Sequence, residues 1–413
     1  MRGVSGQGFA SYGWSDQNGY RGELVIVPSK PSKTKHVFVF LEIFSQEGGI
    51  QSYVKNVLEA YCRLNEAADS PPYRAEVFLL RDAPMENNPY ERDFLKFRYF
   101  RSPSAWLGRI KLTVALLQTL LQDRPQLVIC GHIKLAVLIQ TLCLPLGIPY
   151  TVSTHGKEVW YPLPGYDQAA LQKARLIWTV SRYSRDRLCE SNHVSPDKMR
   201  LLPCVVDGQT FTPAPKPAYL QERYQLGDAK VLMTVARLWS GDPYKGVDVT
   251  IRALPQIVAV FPHVKYLVIG RGDDKPRLEQ LAKDLGMRDR VIFAGFVPDE
   301  ELPDHYRVSD AYIMPSQEGF GIVYLEAMAT GIPVLSGDSD GSADPLQDGR
   351  MGWQVPYRDV EAVAQNCIEL LKGIDKGYKK CSPHWLRQET LAKFSKDALA
   401  KRLGGLLEEA VSK

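Results

Sequence analysis

Seven cysteines are spread through 413 residues with no Cys-x-x-Cys pair among them. The chain therefore lacks both the closely spaced ligands of a structural zinc site and the even count of a disulfide framework, which points to reduced, partly buried thiols in cytosol. Charge of one sign is missing as well. Lys and Arg number 51 against 47 Asp and Glu, a net charge of +4, which is too balanced for a nucleic-acid binder. No apolar run reaches the roughly 18 residues of a membrane span. The most apolar region, Leu135 to Ile148, is interrupted by Gln140, Pro145 and Gly147. The first 35 residues lack the apolar core of a secretory signal and read as a poorly ordered arm. Any meeting with a membrane is therefore peripheral, from the cytoplasmic side. The dinucleotide fingerprint is absent too. The first strand runs into Ser45-Gln-Glu-Gly-Gly instead of G-x-G-x-x-G, and Gly270-Arg-Gly272 is only half of it, which argues against a dinucleotide-dependent oxidoreductase.

What is present is a βα rhythm. Short β-rich runs at His36 to Phe44, Ala75 to Leu80, Leu127 to Cys130, Tyr150 to Ser153, Leu176 to Val180 and Leu201 to Leu202 alternate with helical stretches such as Gln51 to Leu64 and Lys111 to Leu121. Crossovers of that length predict a parallel sheet covered on both faces, a doubly wound α/β domain over residues 36–207. Pro213, Pro215 and Pro217 stiffen a linker over 208–222. The rhythm restarts at Lys230 to Ala236, Val264 to Ile269, Val291 to Phe293, Ala311 to Met314 and Pro333 to Ser336. This predicts a second Rossmann-like domain over 223–384, followed by C-terminal helices over 385–413 that pack across both domains. Ligands of open α/β sheets lie beyond the carboxyl ends of the strands, so two such domains enclose one cleft.

The most informative stretch is Glu318-Gly-Phe-Gly-Ile-Val-Tyr-Leu-Glu326, continuing to Gly331 and Pro333. Glu318 falls at a strand-to-helix turn, and Glu326 lies on the helix. Gly319 and Gly321 allow a ligand close to the backbone, and the amides near Phe320 and Gly321 suit a phosphate. A carboxylate accepts two hydroxyls well, so one glutamate suits a ribose and the other a hexose. Two isolated glutamates would more often be a helix stabiliser and a solvated charge. The whole arrangement is what carries the reading.

This stretch resembles the E-x7-E signature of the retaining glycosyltransferase family 4, whose fold is the two-Rossmann-domain GT-B type. Gly48 and Gly49 resemble the family's N-terminal glycine loop on the acceptor side, and His155-Gly156 its cleft histidine. Arg237 and the Tyr244-Lys245-Gly246 run resemble its phosphate-binding pair, and Gly270-Arg-Gly272 a further landmark of the donor domain. The separation of Arg237 from Lys245, through Trp239-Ser-Gly-Asp-Pro, is longer than in many relatives, and Cys204-Val205 replaces a more usual Asn-Gly. The resemblance implies catalytic roles for His155, Arg237, Lys245 and Glu318. It implies donor binding by Gly270, Gly272, Gly319, Phe320, Gly321 and Glu326. It also implies a metal-independent transfer of a hexose from a UDP- or GDP-linked sugar, with retention, to a lipid-linked, polysaccharide-precursor or small sugar acceptor. No cofactor is expected. Fixed cations such as Arg237 and Lys245 stabilise the charge that grows on a leaving diphosphate. The rival readings are a nucleotide-sugar epimerase or hydrolase on the same fold, and a non-catalytic nucleotide-binding module. Asp338-Ser-Asp340 matches a metal-binding DxD motif, but three residues recur by chance in a chain this long.

One segment speaks to the acceptor. From Glu91 to Lys111, Arg92, Lys96, Arg98, Arg101, Arg109 and Lys111 are interleaved with Phe94, Phe97, Tyr99, Phe100 and Trp106. Such a mixture suits peripheral docking at the inner face of the plasma membrane. It equally suits a solvated loop whose aromatics pack on the first domain.

Overall fold

The computed structural model describes residues 34–46, 48–68, 72–241 and 245–412. The arm expected over the first 35 residues lies outside them except for Thr34 and Lys35. These two open a strand instead, held there because the Lys35 ammonium reaches Glu76 at 2.9 Å and Asp123 at 2.5 Å.

Seven strands form the first sheet: β1 (Thr34–Phe40), β2 (Tyr73–Leu79), β3 (Leu95–Tyr99), β4 (Leu127–Cys130), β5 (Tyr150–Thr154), β6 (Leu176–Thr179) and β7 (Met199–Leu201). Their order is β3-β2-β1-β4-β5-β6-β7, all parallel. Six more form the second: β8 (Lys230–Val235), β9 (Val264–Ile269), β10 (Val291–Gly295), β11 (Ala311–Met314), β12 (Val334–Gly337) and β13 (Trp353–Val355). Their order is β10-β9-β8-β11-β12-β13, again all parallel. The central strands β4, β5, β6, β11 and β12 are buried at every residue. That is why their sequences are unbroken apolar or Thr/Ser runs without alternation. Strand order reverses at β1/β4 and at β8/β11, which places a ligand crevice beyond the carboxyl ends of those pairs.

Two strands escape the sequence reading, β13 and β3. Strand β3 lies inside the segment read as a loop or membrane dock. Its alternation of Leu95, Phe97 and Tyr99 with Lys96 and Arg98 is the period of a sheet, and charged outward residues are how an edge strand avoids foreign pairing. Arg98 stacks over Phe78 at 4.9 Å and donates to Thr119 at 3.1 Å. Arg92 pairs with Glu66 at 3.1 Å and Lys96 with Asp93 at 3.7 Å. Phe94, Phe97 and Tyr99 pack on the core.

The proline-rich stretch ends in a short helix, Ala218–Arg223, with Leu220 buried. Lys216 to Asp310 at 2.6 Å, Tyr219 to Asp304 at 2.9 Å and Arg223 to Glu301 at 2.8 Å fasten it to the second half. Two helices close the described chain, Pro383–Phe394 and Lys396–Val411. Through Arg387 the first bonds the carbonyls of Gly208, Phe211 and Ala329. The second crosses back to the first half, with Arg63–Asp397 at 2.7 Å, Lys396–Glu59 at 2.9 Å and Arg200–Glu409 at 2.5 Å. One continuous apolar core accordingly joins Leu58 and Tyr61 to Met314 and Tyr324 and to Leu399, Leu403 and Leu407. All seven cysteines are free thiols, five of them buried. Among the described residues no helix is long and apolar enough to cross a membrane.

Candidate active site

The turn after β11 is held from two sides. The Glu318 amide donates to Asp340 Oδ2 at 2.6 Å, and the Gly341 amide donates to the Glu318 carbonyl at 2.8 Å. Asp340 is buried, its carboxyl pushed up to about 6 by desolvation, and its other oxygen caps the turn Gly341–Ala343. Across the joint between the halves, a Cβ on Gly319 would come within 2.8 Å of the His155 carbonyl oxygen. No residue but glycine fits there. The Gly319 carbonyl accepts from Ser181 Oγ at 2.5 Å. The Phe320 ring is buried edge-on against Phe394 at 5.7 Å, so only its backbone is left for a ligand. Gly321 caps the helix Ile322–Ala329, which carries Glu326. Tyr306 donates to Glu326 Oε2 at 2.7 Å, and burial pushes that carboxyl up to about 7.

Lys245 reaches across to form an ion pair with Glu318. Arg237, in the loop after β8, stacks over Trp239 at 5.5 Å and lines one small cavity with Lys245. That loop lies directly on the turn after β9. A Cβ on Gly270 would fall 1.8 Å from the Ala236 oxygen, and one on Gly272 1.7 Å from the Leu238 oxygen. The two glycines thus shape the Arg237 loop from behind. Tyr244, and Asp242 and Pro243 of the lengthened connection, lie outside the described residues.

In the first half, His155 follows β5. Its ring Nε2 is 3.0 Å from the Gly131 carbonyl, which makes Nε2 the protonated nitrogen and Nδ1 a bare acceptor. Nδ1 is buried with no partner among the described residues. Tyr53 packs edge-on against the ring at 5.1 Å, and the His155 amide donates to Glu158 at 2.5 Å. His132, 6.2 Å from His155 between ring centres, has its pKa lowered to about 4 by burial, with further lowering from His155, Lys134 and Arg81. A cavity of about 250 Å³ opens beside it, lined by Gln46, Ile50, Gln51, Arg81, His132 and Lys134 among others. Gly48 and Gly49, expected on an acceptor-side loop, stand at the start of the helix Gly49–Glu66 and do not line the cavity.

The structure therefore gathers His155, Glu318, Gly319, Lys245 and Arg237 around one joint. Glu326 sits apart, further along its own helix. Sequence reasoning passed over His132, although Gly131-His132 at the end of β4 repeats the strand-end pattern of His155-Gly156. It also passed over Asp82, which is buried and accepts the amides of Ile43 at 2.6 Å, Phe44 at 3.2 Å and Ser45 at 2.8 Å. A lone aspartate after β2 carries no local signal that it will tie down the loop after β1.

Residues 229–373 match the family described as Glycosyl transferases group 1, and residues 48–209 match Glycosyltransferase Family 4. The chain is similar to a GDP-mannose-dependent alpha-(1-6)-phosphatidylinositol monomannoside mannosyltransferase of Mycolicibacterium smegmatis. Identity is 37% over 232 residues, 53% of this chain and 60% of that protein. A protein of the same name from Mycobacterium tuberculosis is 33% identical over 268 residues, 62% of this chain and 68% of its own length. The matched stretch thus spans between 60% and 68% of these curated relatives. Anabaena HepE in complex with UDP superposes with a TM-score of 0.72 at 19% identity, covering 91% of this chain and 99% of that one. Sucrose-phosphate synthase from Thermosynechococcus elongatus does so with a TM-score of 0.70 at 21% identity, over 91% and 99%. The two structures share the fold. Two parallel sheets in this order, a site assembled at their facing strand ends and both family matches agree that the chain belongs to the family 4 glycosyltransferases of GT-B fold.

Proposed function

We propose that the protein transfers a hexose from a nucleoside-diphosphate sugar to an acceptor hydroxyl, without a metal and with retention of the anomeric configuration. The observation that carries this reading is the close approach of Gly319 to His155. It brings the Glu318–Lys245 pair and the bare His155 Nδ1 to one place. In this reading Arg237 and Lys245 meet the diphosphate, where their charge opposes the charge that develops as the anomeric bond breaks. Binding the diphosphate draws Lys245 away from Glu318, which frees that carboxylate to accept sugar hydroxyls. His155 Nδ1 accepts another sugar hydroxyl, and the free oxygen of Glu326 accepts from the ribose. No carboxylate is placed here as a nucleophile. The leaving phosphate takes the acceptor proton, and the acceptor oxygen enters on the face the phosphate leaves.

GDP-mannose is the first donor to try, because the two mycobacterial relatives are named for it. The acceptor enters from the cavity beside His132 and Lys134. A panel of GDP-, UDP- and ADP-sugars in thermal melts identifies the donor, since only a bound donor raises the midpoint. Product NMR then reads the anomer, and the same assay in EDTA is expected to keep full activity. An inverted product, or activity that returns only with Mg²⁺ or Mn²⁺, would overturn the mechanism.

A further inference from the structure

The segment from Glu91 to Lys111 divides at Phe100. Before it, cations are paired and aromatics packed; after it, neither holds. The helix Ala105–Asp123 buries Leu112, Ala115, Leu116 and Leu120 on its inner side. Its outer side leaves Trp106 61%, Ile110 52%, Val114 51%, Leu117 37% and Leu121 54% exposed. These positions recur every three or four residues, so they form a single stripe along the helix. A surface helix ordinarily turns polar residues outward. Here the charged residues between Ser104 and Asp123 are Arg109 and Lys111, both basic and both exposed.

At the start of the stripe lies a cavity of about 260 Å³, lined by Arg81, Arg101, Ser102, Ser104 and Arg109 with Leu80 and Gly108 at its back. The side chains of Arg101 and Arg109 make no hydrogen bond or ion pair with any described residue. Ser104 stands at the N-cap of the helix without capping it, and its hydroxyl is buried with no partner among the described residues. Arg81 is held by Glu42 at 2.8 Å and also lines the cavity beside His132. Three guanidinium groups, a spare hydroxyl and free helix amides form a cradle for a phosphate ester, for which arginine forks are the fitting donors.

We propose that the Arg81–Arg101–Arg109 cavity binds the headgroup phosphate of an anionic bilayer lipid while the Trp106-to-Leu121 stripe beds into the acyl surface. This rests on the reading of the His132 cavity as the acceptor entrance. Arg81 is the shared wall, so a polyol or sugar borne on that phosphate extends past it toward His132. A second copy of the chain fits the stripe poorly, because Arg109 and Lys111 would face their own counterparts.

The test is flotation of the full chain with phosphatidylcholine vesicles, with and without phosphatidylinositol, beside sedimentation velocity of the free protein. Flotation is expected only with the anionic lipid and to fade with salt. R101S/R109S and W106S/I110S/L117S should each weaken it by about tenfold or more. The equally cation-depleted K283S/R288S, on the second half, should float as the parent does. All these side chains are exposed, and a thermal melt confirms that each variant folds. Equal flotation of the parent and R101S/R109S would overturn the proposal. So would a dimer that the apolar triple variant dissolves while no lipid is bound. A midpoint shift with GDP or UDP on the same samples tests the donor half separately. Nucleotide binding without flotation sinks this inference alone, and flotation without nucleotide binding sinks the donor reading alone.

Discussion

The two halves build their share of the site by opposite means. In the second half the site is ionic and kept inside: Lys245 is paired with Glu318, and a buried Asp340 fastens the turn that carries Glu318. In the first half the His155 ring is held through Nε2 by the Gly131 carbonyl and the His155 amide by the Glu158 carboxylate, while the unpaired cations Arg101 and Arg109 are exposed. In the proposed transfer the first of these arrangements opposes a developing charge, and the second holds a surface and a hydrogen-bond acceptor in register with it.

The comparison breaks first on Arg237. Arg237→Ala should cut turnover by about 10²-fold or more, roughly 3 kcal/mol of transition-state stabilisation, with a smaller loss of donor affinity in steady-state kinetics. If both quantities are unchanged, the second half holds its diphosphate elsewhere.

Titration sets His36 of the first half and Glu326 of the second apart by sign. His36 is fully buried beside Tyr61, and burial lowers its pKa to about 4 from the ordinary 6.5. A depressed histidine binds fewer protons folded than unfolded. Stability is therefore full above pH 6.5 and falls as pH drops toward 4, by about 3 kcal/mol over the window. Glu326 runs the other way: its raised carboxyl binds more protons folded, so it favours the fold below pH 4.5, and that contribution is lost as pH rises to about 7. Denaturant melts of His36→Gln should flatten the acid limb, and those of Glu326→Gln the limb above it. Unchanged profiles in both variants would contradict the burial argument.

Asp82→Ala leaves the amides of Ile43, Phe44 and Ser45 without their acceptor and is expected to cost about 2 kcal/mol of stability. Because that loop borders the cavity beside His132, which the proposal gives to the acceptor, acceptor KM should rise while nucleotide affinity is retained. The smallest effect belongs to Lys96→Ser in the edge strand, which should change stability by under about 0.5 kcal/mol, since its pair with Asp93 is solvated. A large loss there would return β3 to a binding role.

The same contrast explains what could be read in advance. The donor side was legible because its parts fall in one contiguous run, Glu318 to Glu326, with Gly270 and Gly272 forced by close backbone contact. The central strands were legible because burial on both faces leaves an unbroken apolar signature. The first half's share of the site is assembled from single residues at the ends of β1, β2, β4 and β5, among them Asp82 and His132, and no local pattern marks such an assembly. Strand β3 was hidden by its own cations, Lys96 and Arg98, the second of which finds its partners Glu76 and Thr119 more than twenty residues away on either side.

The returning helix Lys396–Val411 also sets an order of events. Arg63 and its partner Asp397 are 334 residues apart. At ribosomal speed the first half therefore waits on the order of tens of seconds for the segment that covers it. Through that interval the side of the helix Gly49–Glu66 that later packs on Lys396–Val411, around Leu64 beside Gly404, stays uncovered. A chain interrupted before residue 396 is therefore expected to aggregate with its first sheet already paired.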